Sequence, residues 1–161
     1  MMAQIAAAFF GTLAFAVVFN ISRYQLIYCG AVGGFGWFVY LTSHKVTGDI
    51  VFSSFIASTA ISIVSHILAR VLKNPVTIYQ IGGIFPLVPG AGIYKTLYFI
   101  VSEDYTQATY FLYQTLQIAG GIAVGMVLIA SFNRLILKEK GQNDDDIHPD
   151  SDRDHQEHTQ G

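Results

Sequence analysis

Ile84-Phe85-Pro86-Leu87-Val88-Pro89-Gly90-Ala91-Gly92-Ile93-Tyr94-Lys95-Thr96 sets two prolines, two glycines and a lysine inside an apolar run from about Tyr79 to Val101. A helix needs about 20 residues to cross a bilayer, so the run is long enough. Each proline lacks an amide hydrogen, and its ring clashes with the carbonyl four residues earlier. Two of them, followed by Gly90, predict a helix broken at Pro86–Gly90, with a first half ending near Phe85 and a second starting at Ala91. In lipid, irregular backbone survives only where it is buried in protein or lines a cavity. Broken spans are also where many transporters hold their cargo. A second half starting at Ala91 offers its first amides and the positive end of its dipole to an anion. Lys95, one turn further on, adds a full positive charge near mid-membrane. Such a lysine costs about 2.5–3.5 kcal/mol at the bilayer centre unless water or a partner reaches it.

The composition agrees with a membrane domain. The 161 residues are 52% hydrophobic and 12% charged, with a mean hydropathy of +0.45. From Gly141 onward there are seven acids and one base. Of the chain's 9 bases and 11 acids this leaves 8 and 4 for residues 1–140. We expect a transmembrane helical domain over residues 1–137 and an acidic, disordered cytoplasmic tail over 138–161. The single cysteine, Cys29, rules out an intramolecular disulfide and reads as a small buried hydrophobe. The N-terminal segment has no base before Arg23, so it reads as a retained first span rather than a signal peptide.

Five apolar segments stand out, at about Ala3–Asn20, Leu26–Leu41, Ile50–Ala69, Tyr79–Val101 and Ala108–Leu137. The predicted fold is therefore all-α and polytopic, with about five transmembrane helices and the fourth broken. With five crossings, Arg23, Arg70, Lys73, Arg134, Lys138 and Lys140 share one side, opposite Lys45, Asp49, Glu103 and Asp104. The positive-inside rule then places the N-terminus outside and the C-terminus in the cytoplasm. A re-entrant loop in place of the fourth crossing erases that asymmetry.

Small residues recur at helix-packing spacing, as expected where association depends on close backbone approach. Ala3, Ala7, Gly11 and Ala14 share a side of the first span. Gly30 and Gly34 form a pair in the second. Gly121 and Gly125 in the fifth continue the face of Gln114 and Gln117. The third span aligns Ser54, Ser58, Ser62 and His66 four apart. Either the serine hydroxyls bond back to their own helix on a packing face, or they line a substrate path.

The chain resembles the threonine/serine exporter family (ThrE-like), in particular the small membrane subunit of its two-component bacterial form (YjjB-like). The resemblance covers about residues 1–137. It rests on Phe15-Ala16-Val17-Val18-Phe19-Asn20, Cys29-Gly30, Phe55-Ile56-Ala57-Ser58, Asn74-Pro75, and Ile84-Phe85-Pro86-Leu87-Val88-Pro89-Gly90 with Tyr94 beyond. It implies a bacterial plasma membrane location and a larger partner subunit that carries a soluble N-terminal domain and its own membrane half. The implied activity is secondary export of a small carboxylate-bearing metabolite, a threonine- or serine-like amino acid or a dicarboxylate such as succinate. Candidate substrate contacts are Pro86, Pro89, Gly90, Ala91, Gly92 and Lys95, joined by Ser58, Ser62 and Asn20. Gly30, Gly34, Gly121 and Gly125 are candidate packing or interface positions.

No nucleotide-binding, zinc-protease or nucleophile motif is present, and we expect no enzyme activity, cofactor, metal or nucleic-acid partner. His148, His155 and His158 with the neighbouring aspartates read as a solvated tail rather than a metal site. The alternative to an exporter is a scaffolding subunit whose glycine faces stabilise a transporting partner.

Overall fold

The computed structural model describes residues 2–145, with side chains through residue 135. The acidic tail from residue 146, including its histidines, lies outside the described residues. Six α-helices follow in order: α1 Met2–Val18, α2 Arg23–Thr47, α3 Ile50–Leu72, α4 Val76–Ile84, α5 Gly90–Val101 and α6 Tyr105–Asp145. A 3-10 turn, Phe85–Leu87, follows α4. No strand occurs among the described residues. Contacts divide the chain into two compact units, Met1–Ile129 and Ala130–Gly161. Helix α6 continues through Asp145, so the helix runs into the segment expected to form the tail.

The connections are short, and all but the one between α4 and α5 have a left-handed residue that reverses the chain. Asn20 has φ 55°, Lys73 53° and Glu103 61°, while Gly48 ends α2 at φ 72°. Glycine adopts this region at no steric cost and asparagine tolerates it well. Asp49 opens α3 by accepting the amides of Val51 and Phe52 on Oδ1, at 2.7 and 3.1 Å. That is the usual role of an N-cap carboxylate.

Helices α2 (Arg23–Thr47), α3 (Ile50–Leu72) and α6 over Tyr105–Leu135 are long and apolar enough to cross a membrane. Val76–Leu87 with Gly90–Val101, bent by 50°, makes a fourth such span. Helix α1 has 17 residues and rises about 26 Å, short of a hydrocarbon core of about 30 Å. Length alone therefore supports four of the five expected crossings. The protein is an all-α, polytopic membrane protein.

Close backbone approach builds the interior. A Cβ on Gly33 would collide with Thr12, one on Gly36 with Ile61, and one on Gly83 with both Val32 and Ile61. Helices α1, α2, α3 and α4 can therefore meet only because these positions carry no side chain. Val32, Ala57, Ile61, Leu87 and Ile122 form one buried cluster. Ala16, Cys29, Ala69 and Tyr79 form another. Cys29 is free and buried, its thiol 3.6 Å from the Ile78 carbonyl. The small side of α1 behaves differently from expectation. Ala3, Ala7 and Ala14 are exposed, and a Cβ on Gly11 would touch nothing within 4 Å. Helix α1 packs instead through Phe9, Thr12 and Ala16.

Candidate functional site

The break follows from what each residue can donate. Pro86 sits in the 3-10 turn, where its missing amide removes no helical bond. The turn closes with the Val88 amide on the Phe85 carbonyl at 3.3 Å. Val88 and Pro89 are the two non-helical residues, and α5 restarts at Gly90. The chain is thus less unwound than the spacing of the prolines predicts. It is also better satisfied. The Gly90 amide bonds the Val88 carbonyl at 2.7 Å, and the Pro89 carbonyl takes the amides of Gly92 and Ile93 at 3.1 and 3.2 Å. Only Ala91, among the first residues of α5, keeps an amide with no acceptor among the described residues. The expected row of bare donors reduces to one, because local turns replace the lost helical bonds.

Around the break the surfaces differ on two sides. Pro86 lines a cavity of about 210 Å³ with Gln4, Ala7 and Ala8 of α1 and Trp37 of α2. The indole nitrogen of Trp37 is buried without a hydrogen-bond partner among the described residues. Phe85 stacks on Phe15 of α1 at 3.8 Å between ring centroids. On the other side, Thr96 is the buried residue of α5, while Ala91, Tyr94, Lys95 and Tyr98 are exposed. The Lys95 ammonium lies 4.9 Å from the centre of the Phe111 ring, a cation–π contact with α6. No carboxylate pairs with it among the described residues. Helix α5 is held to α6 where Gly92 abuts Thr115 and where Phe99 stacks on Phe111 at 5.5 Å.

Pro86, Pro89, Gly90, Ala91, Gly92 and Lys95 are thus gathered at the break and the first turns of α5. The other candidates lie apart from it. Ser58 is fully buried, donates to the Phe55 carbonyl at 2.9 Å, and lies under Gly125 of α6. Ser62 is fully buried and accepts from Gln80 of α4 at 3.3 Å. Ser54 and Thr59 also bond back to carbonyls of their own helix, and His66 Nδ1 lies 2.8 Å from the Ser62 carbonyl. The serine row is therefore a packed helix face here, and it lines none of the cavities beside Pro86, Gly82 or Gln114. Asn20 is exposed in the α1–α2 turn, its amide on the Val17 carbonyl at 2.9 Å.

The packing glycines act within the chain. Gly30 and Gly34 seat Phe9 of α1, and Gly121 and Gly125 bring α6 onto Val51, Phe55 and Ser58 of α3. Sequence reasoning missed Gln4, Trp37, Phe111 and Gln80. Gln4 and Gln80 could have been found as isolated carboxamides in apolar spans; Trp37 and Phe111 carry no such signal.

An all-helical membrane domain with a broken, cation-bearing span that lines a cavity has the architecture of a membrane transport protein. The chain belongs to the threonine/serine exporter family: the family described as "Threonine/Serine exporter, ThrE" matches residues 4–132. No solved structure matches it. Family membership gives the chain an exporter role rather than one in a class of enzymes.

Proposed function

We propose that the chain is the membrane subunit of a secondary exporter for small carboxylate-bearing metabolites, with the cargo carboxylate held between Lys95 and the Ala91 amide. The observation that carries this is Lys95 itself. It is a full charge within an apolar span, exposed on α5, paired with no acid among the described residues, and on the same face as Ala91 one turn earlier. Threonine- and serine-like amino acids and dicarboxylates such as succinate share the required group. The larger subunit, with its soluble N-terminal domain and its own membrane half, completes the path on the exposed side of α5.

The turns support a bacterial plasma membrane orientation with the N-terminus outside and the C-terminus in the cytoplasm. Arg23, Arg70 and Lys73 fall on one side, Lys45, Asp49, Glu103 and Asp104 on the other. Cysteines introduced singly at Ser22 and Ser102 are expected to label from opposite faces. Labelling from one face replaces the fourth crossing with a re-entrant loop.

The decisive assay is efflux of serine, threonine and succinate from cells that express this chain alone or with the larger subunit. Cargo-dependent efflux that needs both chains and Lys95 supports the reading. Efflux unchanged in Lys95→Ala removes the proposed carboxylate site. A purely scaffolding subunit needs glycine faces free for a partner. Gly30, Gly34, Gly121 and Gly125 are each occupied by a neighbour in this chain, which leaves that reading only the open Gly11 side of α1.

A further inference from the structure

The roomiest cavity described lies away from the break, where α6 splays from the start of α3. It holds about 550 Å³ and is lined by Thr47, Asp49, Tyr110, Tyr113, Gln114 and Gln117, with Gly48, Ile50 and Val51 completing the wall. Its polar wall is built by periodicity. Tyr110, Gln114 and Gln117 recur at helical spacing on the α6 face that Gly121 and Gly125 continue into α3. Below Gly121 the helices touch, at Val51 and Phe55; above it they part and the carboxamides face the gap.

The charge of this wedge is one-sided. Asp49 is its one charged lining residue and none is basic. The cap bonds of Val51 and Phe52 both fall on Asp49 Oδ1. Oδ2 takes neither of these cap bonds. Among the lining residues the full carboxylate of Asp49 outweighs the roughly half charge at the start of α3, so the lining suits a cation better than an anion. A compact cation that also donates hydrogen bonds finds Asp49 Oδ2, two carboxamide oxygens and two phenol oxygens as acceptors.

We propose that this wedge is a binding site for a protonated primary amine, with Asp49 as counter-ion and Gln114 and Gln117 as hydrogen-bond acceptors. The ammonium can come from a free amine in solution or from an aminophospholipid headgroup at the membrane surface. The chemistry is the same for both. The site is separate from Lys95 and stands whether or not the break holds a carboxylate.

Equilibrium dialysis of radiolabelled ethanolamine against the protein in phosphatidylcholine nanodiscs tests it. Saturable binding is expected, and N-acetylethanolamine, which lacks the charge, does not compete. Asp49→Asn retains a good N-cap and lowers affinity about tenfold or more, the scale of a charged hydrogen bond. Gln114→Leu leaves the cap untouched and lowers affinity by less, while Lys95→Ala leaves it unchanged. Repeating the measurement in phosphatidylethanolamine nanodiscs separates the sources. Loss of ethanolamine binding there identifies the lipid headgroup, and unchanged binding identifies a soluble amine. Absence of binding in phosphatidylcholine discs overturns the proposal. So does equal competition by N-acetylethanolamine, or binding unaffected in both Asp49→Asn and Gln114→Leu.

Discussion

Helices α1 to α4 and helix α5 belong to one membrane domain but are built on opposite rules. In the first block, glycines at 33, 36 and 83 let backbones and side chains meet where no Cβ fits. In α5, Thr96 is the buried side chain and a lysine lies among exposed tyrosines and aliphatics. Lipid gives no hydrophobic reason for helices to associate, so fit and hydrogen bonds decide which surfaces join. The contrast teaches that the block is the frame, and that α5 is a surface the frame leaves open.

The largest effect should come from filling the frame. Gly33→Leu drives a side chain into Thr12 and is expected to cost about 1–3 kcal/mol or more, read as loss of monodisperse protein in detergent. Gly11→Leu, on the same pair of helices but facing open space, serves as its control and should remain stable. If both fold equally well, the frame is not held by close approach.

Lys95→Ala attacks the other region. Export in the presence of the larger subunit should fall about tenfold or more, the scale of a lost charge-assisted hydrogen bond, with thermal stability in detergent retained. Ala91→Pro sharpens the result. Proline is tolerated in the first turn of a helix, so the change removes one amide and little else. We expect a severalfold fall in export, since a single hydrogen bond contributes about 0.5–1.5 kcal/mol. The smallest effect belongs to Gln80→Leu, which deletes the bond to Ser62. Interhelical hydrogen bonds in membranes average about 0.6 kcal/mol, so a shift of a few degrees in melting temperature is the expected reading.

Much of this arrangement was legible in the residues. Pro86 and Pro89 place the break because proline's chemistry is local, and charges at Arg23, Arg70 and Lys73 mark turns because charge avoids lipid. What the sequence hid depends on neighbours. The hydroxyls of Ser54, Ser58 and Thr59 could face a path or their own carbonyls, and spacing is identical in both cases. The side of α1 chosen for packing ran through Phe9 and Thr12 instead of the alanines, since a glycine groove on α2 favours a knob over a flat face. Lys95 could be seen as a misplaced charge, but its seat on Phe111 required the α5–α6 hairpin. The amides around Gly90 looked bare in sequence and prove mostly occupied, because short turns reach carbonyls that a helical count leaves out.

The abutment of Gly92 on Thr115 sits near the base of α5, with nine residues beyond it to Val101. It makes a fulcrum, and Val88–Pro89 a flexure beside it. With a rise of about 1.5 Å per residue, a 10° rock about that point carries the far end of α5 by about 2 Å. A small adjustment at the prolines is thus magnified along the lever to the far end of the helix.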